Sequence, residues 1–217
     1  MDLFHRLRHA ATTEWSAYVD HPFVRAMGAG TLPEAAFRRY LEQDYLFLIQ
    51  FARANALAVY KSQTLRDMRA AQGALGAILD VEMDLHVRLC GRWGLSPCDL
   101  EGADEHPATV AYTRFVLDCG QAGDLLDLHV ALAPCVIGYA EIARALAPAL
   151  GDAHPYREWI ADYAGEAYQS VAARARAHLD HLAETHLAPK RFDALARTFA
   201  TACRLEADFW QMGLDAG

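Results

Sequence analysis

The 217-residue sequence has no surplus of positive charge, because 28 Asp and Glu residues outnumber 20 Lys and Arg residues and give a net charge of -8 at pH 7. A protein whose main partner is nucleic acid or an anionic membrane surface needs basic side chains that neutralise phosphates. The acidic balance therefore argues against both partners. It favours a small ligand that is uncharged or cationic.

The sequence also lacks the features of a secreted, disulfide-bonded or membrane-spanning protein. Its five cysteines are odd in number and include no C-x-x-C pair, so a disulfide framework is not expected. No apolar run with a small-residue cleavage site follows the N-terminus, so we expect no signal peptide. The most apolar stretch, residues 130–140, falls short of the ~20 residues of a membrane-spanning helix. Together these absences predict a cytoplasmic protein.

No window alternates apolar and polar residues as a strand does, whereas long windows repeat apolar residues at three- and four-residue spacing. No linker or internal repeat marks a domain boundary. We therefore predict an all-α, single-domain bundle over residues 1–217, with roughly seven or eight helices. Gly, Pro and capping residues predict helices over residues 34–61, 64–93, 106–119, 124–150 with a kink at Pro134, 156–186, and from near 190 past 210.

An acid lies on an apolar face of the helix predicted over residues 34–61. Asp44, Phe47, Leu48 and Phe51 follow the i, i+3, i+4, i+7 spacing and share one face. At the edge of such a face, a carboxylate usually pairs with Arg or water. If the carboxylate is partly buried, its pKa rises toward neutrality, and it can hold an amino group or move a proton. The spacing alone leaves both interpretations open.

Cys135 lies in the segment Ala133-Pro-Cys-Val-Ile-Gly-Tyr139, one turn before Tyr139 on the same helix face. A single Cys in an apolar run is most often an inert core residue. Two neighbouring residues favour a functional role for Cys135. Pro134 frees a backbone carbonyl, and Gly138 lets a ligand or a neighbouring helix approach closely. No base is near in sequence, so a nucleophilic Cys135 would need a base from another helix.

Two further helices place an acid or a phenol among aromatic residues. Glu206 shares a face with Trp210, and Trp159 shares a face with Tyr163. Taken singly, aromatic stripes usually pack a core. When the pattern recurs on three or four helices, it is what a closed pocket for a flat heteroaromatic ligand requires.

Five segments, in order along nearly the whole chain, resemble the TenA (thiaminase II) family. The resemblance implies a heme-oxygenase-like bundle, usually a homotetramer, that uses no cofactor or metal. It also implies hydrolysis of the C–N bond on the methylene carbon of 4-amino-5-aminomethyl-2-methylpyrimidine or of thiamine, which yields the hydroxymethylpyrimidine for thiamine salvage. The five segments are Tyr40-Leu-Glu-Gln-Asp-Tyr-Leu-Phe47, Glu82-Met-Asp-Leu-His86, Pro134-Cys-Val-Ile-Gly-Tyr139, Trp159-Ile-Ala-Asp-Tyr163 and Glu206-Ala-Asp-Phe-Trp-Gln-Met212.

The same resemblance assigns roles to seven residues. Cys135 is the nucleophile that adds to the pyrimidine ring, as in the cysteine-bearing branch of the family. Glu206 protonates a ring nitrogen, because addition breaks aromaticity and an acid must neutralise the developing charge. Asp44 accepts hydrogen bonds from the 4-amino group. The aromatic residues complete the pocket, with Phe47 and Tyr139 sandwiching the ring and Tyr112 and Tyr163 lining the site.

Two other functions remain open from the sequence. A heme or di-metal redox enzyme uses the same bundle, with His21 as a heme ligand or Glu82 and His86 as metal ligands. The chain contains no Glu-x-x-His motif of the kind that di-iron bundles carry, which weakens this alternative. The second alternative is a non-catalytic pyrimidine-binding regulator, although the acidic charge and the lack of a basic helix-turn-helix oppose DNA binding.

Overall fold

The computed structural model of the protein describes residues 2–217, without the side chains of residues 81 and 189. All the described elements are helical, which confirms the all-α prediction. Besides the α-helices there are a π-helix (Ile78–Glu82) and two 3-10 helices (Ala147–Ala149 and Pro189–Arg191). Across the described residues, the twelve α-helices are α1 (Leu3–Ala10), α2 (Thr12–Val19), α3 (Pro22–Gly28), α4 (Glu34–Lys61), α5 (Leu65–Ala77), α6 (Met83–Arg92), α7 (Pro97–Gly102), α8 (Pro107–Ala122), α9 (Leu125–Leu146), α10 (Arg157–Ala164), α11 (Glu166–His186) and α12 (Phe192–Leu214).

The helices are more numerous than predicted. The helix predicted over residues 156–186 is two helices, because Gly165 has extended backbone (φ -65°, ψ 153°) and separates α10 from α11. The helix predicted over residues 64–93 contains the π-helical turn between α5 and α6. The segment between the helices predicted over residues 64–93 and 106–119 contains α7, which begins with a capping box between Ser96 and Asp99. Helix periodicity continues through each of these interruptions and therefore conceals them.

Two compact units make up the chain. Among the described residues, the first unit contains residues 2–32 and 129–211, and the second contains residues 33–128 and 212–217. Each unit joins segments that are far apart in the sequence. Its core therefore depends on long-range packing, which helix periodicity alone does not reveal.

The core of the first unit is largely aromatic. Trp15 of α2 stacks on Phe199 of α12, with ring centroids 5.8 Å apart. Phe23 of α3 stacks on Trp210 of α12 at 4.9 Å. Aromatic pairs of this kind contribute about 0.5–1.5 kcal/mol each beyond the area that they bury. The two stacks hold the length of α12 against the N-terminal helices.

The middle of α9 is shaped by Pro134 and Gly138, and Tyr18 contacts both. The carbonyl of Pro134 accepts a hydrogen bond from Oη of Tyr18 at 3.3 Å. A Cβ atom added to Gly138 would lie 2.4 Å from Cε1 of Tyr18, closer than real contacts allow. The close approach expected at Gly138 is therefore made by the ring of Tyr18.

We expect Gly138→Ala to lower the free energy of unfolding by about 1–3 kcal/mol, because overpacking forces Tyr18 or α9 to move. Gly73→Ala in α5 is the matched control. No atom lies within 4 Å of its added Cβ, so replacing Gly should stabilise the helix by up to about 1 kcal/mol. Urea titration of both variants measures the difference. Equal stability of Gly138→Ala and the wild type would contradict the packing described for Tyr18.

The second unit is organised around α4 and α8, and Gln43 links the two. Its Nε2 donates to the carbonyl of Asp104 at 3.0 Å. Its Oε1 accepts hydrogen bonds from Oγ1 of Thr109 at 2.7 Å and from the backbone N–H of His106 at 2.8 Å. Gln43 is fully buried, so an unpaired amide there would be costly. The three bonds fix the register of α8 against α4.

The most apolar helical stretch is Leu125–Ala149, longer than the run predicted at residues 130–140. It is the one helix among the described residues that is long and apolar enough to cross a membrane, with a mean hydropathy of 1.5. However, 72% of that apolar window is buried inside the protein. A helix that packs mostly inside a protein core passes the same test of length and composition.

Candidate active site

Asp44 is buried in α4, with 4% of its surface exposed. Its Oδ2 accepts a hydrogen bond from Oη of Tyr40, one turn earlier, at 3.2 Å. Burial raises the pKa of Asp44 to about 7, and the bond from Tyr40 opposes part of that rise. Of the two interpretations left open by the sequence, the structure supports the buried carboxyl. Near neutral pH this group can both accept and release a proton.

The π-helix and α6 bring further ionisable groups close to Asp44. Nδ1 of His86 lies 3.4 Å from Oδ2 of Asp44, and its Nε2 lies 2.9 Å from the carbonyl of Leu41. Burial lowers the pKa of His86 to about 4. The pKa of Glu82 is raised to about 7 and that of Cys90 to about 12. In both cases burial is the larger cause and the charge of Asp44 is the smaller one. Burial therefore favours the uncharged form of each of these four groups.

The raised pKa of Asp44 gives a testable pH dependence of stability. Because the pKa rises from 3.8 to about 7 on folding, the folded state binds more protons between these values and loses stability as the pH rises. Asp44→Asn lacks this contribution. We expect the stability of the wild type relative to Asp44→Asn to fall by at least about 1.4 kcal/mol, the equivalent of one pKa unit, from about pH 4 to 7. Denaturant titration across that range measures it, and a constant difference would contradict a raised pKa.

Phe47 and Tyr112, both predicted site residues, lie together in the second unit. Their ring centroids are 5.1 Å apart, and Phe47 also stacks on Phe51 at 5.9 Å. Phe47 follows Gln43 by one turn, and Tyr112 follows Thr109 by nearly one turn, so the Gln43–Thr109 bond positions both rings. Sequence reasoning missed this bond, because the two residues are 66 positions apart and uncharged polar residues carry no periodic signal.

Tyr139 and Tyr163, the other predicted aromatic residues, belong to one cluster in the first unit. The Tyr139 centroid lies 5.3 Å from Tyr163, 5.3 Å from Trp210 and 5.7 Å from Trp159. Trp159 and Tyr163 are 4.6 Å apart. The aromatic stripes predicted on three helices, α9, α10 and α12, therefore pack against each other.

Cys135 and Glu206 extend from this aromatic cluster along α9 and α12. Cys135 is half-buried and precedes Tyr139 by one turn, whereas Glu206 is 1% exposed and precedes Trp210 by one turn. Tyr139 packs on Trp210. Cys135 and Glu206 therefore each lie one turn before one of two rings that pack on each other.

All five cysteines are thiols rather than disulfides, and the other four range from buried to exposed. Burial raises the pKa of Cys203, and the nearby charge of Glu206 raises it further. Burial also raises the pKa of Cys119 to about 11. Cys90 has the raised pKa already described, and Cys98 is exposed. Cys119 is half-buried like Cys135, so it is a suitable comparison in mutagenesis.

The candidate heme and metal ligands have other partners in the structure. Nδ1 of His21 accepts a hydrogen bond from the N–H of Phe23 at 3.2 Å and caps α3. His86 is held by the carbonyl of Leu41. Over residues 2–217, no group of three or more His, Cys, Asp or Glu side chains is arranged to hold a metal ion. His21 is therefore a helix cap, and Glu82 and His86 surround Asp44.

Comparison with known proteins identifies the family. A model of the TENA/THI-4/PQQC family matches residues 8–216. The chain belongs to this family. This match confirms the family resemblance of the five sequence segments, and it extends over almost the whole TenA-family chain. An aminopyrimidine aminohydrolase from Halalkalibacterium halodurans is 40% identical over 201 residues, which cover 91% of this chain and 89% of that protein.

Solved structures agree with the family and the fold. A structure described as a TenA family transcription regulator, from a Silicibacter species, is 45% identical with a TM-score of 0.93, covering 98% of this chain and 96% of that one. A domain from Shewanella denitrificans with a heme oxygenase-like fold matches with a TM-score of 0.75 at 16% identity, covering 99% and 93%. The TenA-family chain therefore has the heme-oxygenase-like fold that its sequence resemblance implied.

Proposed function

We propose that this TenA-family protein is an aminopyrimidine aminohydrolase of the thiaminase II type, which hydrolyses a C–N bond in thiamine salvage. Its substrate is 4-amino-5-aminomethyl-2-methylpyrimidine, with thiamine as a second substrate, and its product is 4-amino-5-hydroxymethyl-2-methylpyrimidine. The observation that carries the proposal is the packing of Tyr139, one turn after Cys135, on Trp210, one turn after Glu206. The activity named for the 40% identical relative supports the reaction class.

The proposed reaction begins with Cys135 as a thiolate. Its sulfur adds to the ring carbon next to the one that bears the methylene, and Glu206 gives a proton to a ring nitrogen. The electrons of the dearomatised ring then expel the protonated amine as ammonia and leave an exocyclic double bond. Water adds to that exocyclic carbon and returns a proton to Glu206. The C–S bond then breaks and regenerates the Cys135 thiolate, the ring nitrogen gives its proton to solvent, and the aromatic ring is restored.

The remaining predicted residues bind the substrate in this proposal. Asp44 accepts a hydrogen bond from the 4-amino group, which its burial and its pKa near 7 support. Phe47 and Tyr139 provide aromatic faces for the pyrimidine ring. Tyr112 and Tyr163 line the site and hydrogen-bond the acid and thiol groups. No cofactor or metal takes part in these steps.

We further propose that the protein is a cytoplasmic homotetramer whose ligands are small molecules rather than nucleic acid or membranes. The free thiols are typical of a reducing compartment. Large apolar side chains are exposed on the second unit, including Tyr60 (83%), Leu65 (61%) and Leu79 (51%). Exposed apolar patches often mark protein interfaces. The molar mass in solution, measured by light scattering, tests the oligomeric state.

The proposed function is tested by incubating chelator-treated protein with 4-amino-5-aminomethyl-2-methylpyrimidine. We expect ammonia and the hydroxymethylpyrimidine in equal amounts, identified enzymatically and by mass spectrometry. The same assay with thiamine gives the ratio of the two kcat/KM values, which reports the leaving group that the site fits better. Binding without turnover would support the regulatory alternative and contradict the hydrolase. Neither binding nor turnover would contradict the pyrimidine site altogether.

A further inference from the structure

The ring of His86 has a defined orientation and tautomer. Its Nε2 lies 2.9 Å from the carbonyl oxygen of Leu41. A carbonyl only accepts hydrogen bonds, so Nε2 must carry a proton and donate it. In the neutral imidazole, Nδ1 then carries a lone pair, and this atom lies 3.4 Å from Oδ2 of Asp44.

A lone pair that faces an ionised carboxylate is repulsive, and burial strengthens the repulsion. The side chains of His86 and Asp44 are each 6% exposed, so water does not separate or screen them. The contact becomes attractive when the pair holds one proton. That proton lies either on the carboxyl, which then donates to Nδ1, or on the imidazole, which then forms an ion pair.

Three other titratable groups face this pair from the surrounding helices. Tyr40 of α4 donates to Oδ2 of Asp44. Glu82 lies at the end of the π-helix and Cys90 lies in α6, and the nearby charge of Asp44 raises the pKa of both. Single π-helical turns within α-helices often occur at functional sites. Here the π-turn leads directly into α6 and ends four residues before His86, the α6 residue that contacts the carboxyl of Asp44.

We infer that His86 is a positioning residue for Asp44. It holds one proton within the pair and occupies the Oδ2 side of the carboxyl. The other oxygen, Oδ1, is thereby presented to the amino group of the ligand. The contacts of Tyr40 and His86 both fall on Oδ2. The inference rests on the proposed function for the ligand that Asp44 binds. The pairing of His86 with Asp44 is a property of the ligand-free protein and can be tested separately.

The first experiment uses the protein without ligand. Proton–nitrogen NMR of the histidine rings, with His86 assigned from the signals missing in His86→Gln, distinguishes the two tautomers. We expect His86 to be protonated on Nε2, and we expect Asp44→Asn to shift its Nδ1 resonance. Protonation on Nδ1, or an Nδ1 resonance that is insensitive to Asp44→Asn, would overturn the inference whatever the substrate proves to be.

The second experiment measures binding of 4-amino-5-hydroxymethyl-2-methylpyrimidine in a double-mutant cycle. Gln at position 86 can still donate to the carbonyl of Leu41 but places no group where Nδ1 lies, so it separates the structural contact from the Asp44 contact. We expect His86→Gln to weaken binding about tenfold and to raise KM more than it lowers kcat. In the Asp44→Asn background, the same change should alter affinity less than about twofold, because coupled residues are not additive.

A merely structural His86 gives a different pattern. His86→Gln would then keep the affinity of the wild type, or it would weaken binding equally in both backgrounds, and either result overturns the inference. His86→Leu removes both contacts and should lower the unfolding midpoint more than His86→Gln does. If the wild type binds no aminopyrimidine while NMR shows the coupled pair, the proposed function is wrong and the pairing of His86 with Asp44 stands.

Discussion

Cys135→Ser is expected to lower kcat/KM for 4-amino-5-aminomethyl-2-methylpyrimidine on the order of 1,000-fold or more, as loss of a catalytic nucleophile does in other enzymes. A thiol ionises far more readily than a hydroxyl, and the thiolate is both the stronger nucleophile and the better leaving group when the C–S bond breaks. Ser is nearly the same size as Cys, so the helix packing at this half-buried site should be unchanged. The rate of ammonia release measures the effect.

Cys119→Ser is the matched control for that substitution. Cys119 is also a half-buried free thiol in a helix, but burial and the nearby charges of Asp118 and Asp127 raise its pKa to about 11, which is unfavourable for a nucleophile. We expect this variant to retain activity within about twofold of the wild type. If Cys119→Ser lost as much activity as Cys135→Ser, the effect would reflect general damage to the fold rather than loss of a nucleophile.

Glu206→Gln is expected to lower kcat by about 100- to 10,000-fold, the usual contribution of a general acid or base. Gln has nearly the shape of Glu and can still form hydrogen bonds, so the fully buried position should remain packed. It cannot give a proton to the ring nitrogen or recover one from water. The pH profile of kcat should therefore lose the limb that reports the ionisation of Glu206.

Asp208→Asn is the control for the loss of an acid on the same helix. Asp208 is exposed on α12, two residues after Glu206, and its removal changes the charge by the same amount. We expect kcat within about twofold of the wild type, since exposed substitutions away from a site have small effects. A Glu206→Gln enzyme with an unchanged kcat and an unchanged pH profile would rule out the acid–base role.

The long helices could be predicted from the sequence because their ends are fixed by local chemistry. The predicted helix α4 begins at Glu34 and ends at Lys61, as it does in the structure. Thr64 caps α5, because its side chain accepts a hydrogen bond from the N–H of Asp67. The break at Gly165 was missed, because a single Gly inside a helical pattern is often tolerated.

The candidate site was predictable only in part. The apolar face around Asp44 indicated a carboxylate that could be buried, but its contact with His86 depends on how α6 packs on α4. The close approach at Gly138 was expected, but its occupant, Tyr18, is more than a hundred residues away in sequence. Periodicity identifies the face of a helix, whereas the partner of that face is decided by tertiary packing.

The most direct measurement of the central claim is peptide-level mass spectrometry of wild-type protein that is acid-quenched during turnover of the aminomethylpyrimidine. The proposed addition of the Cys135 thiolate to the ring creates a covalent intermediate. We expect the mass of the pyrimidine on the peptide that contains Cys135, and no such mass on the peptide that contains Cys119. A pyrimidine adduct on a different cysteine, with Cys135 unmodified throughout turnover, would contradict the proposed mechanism.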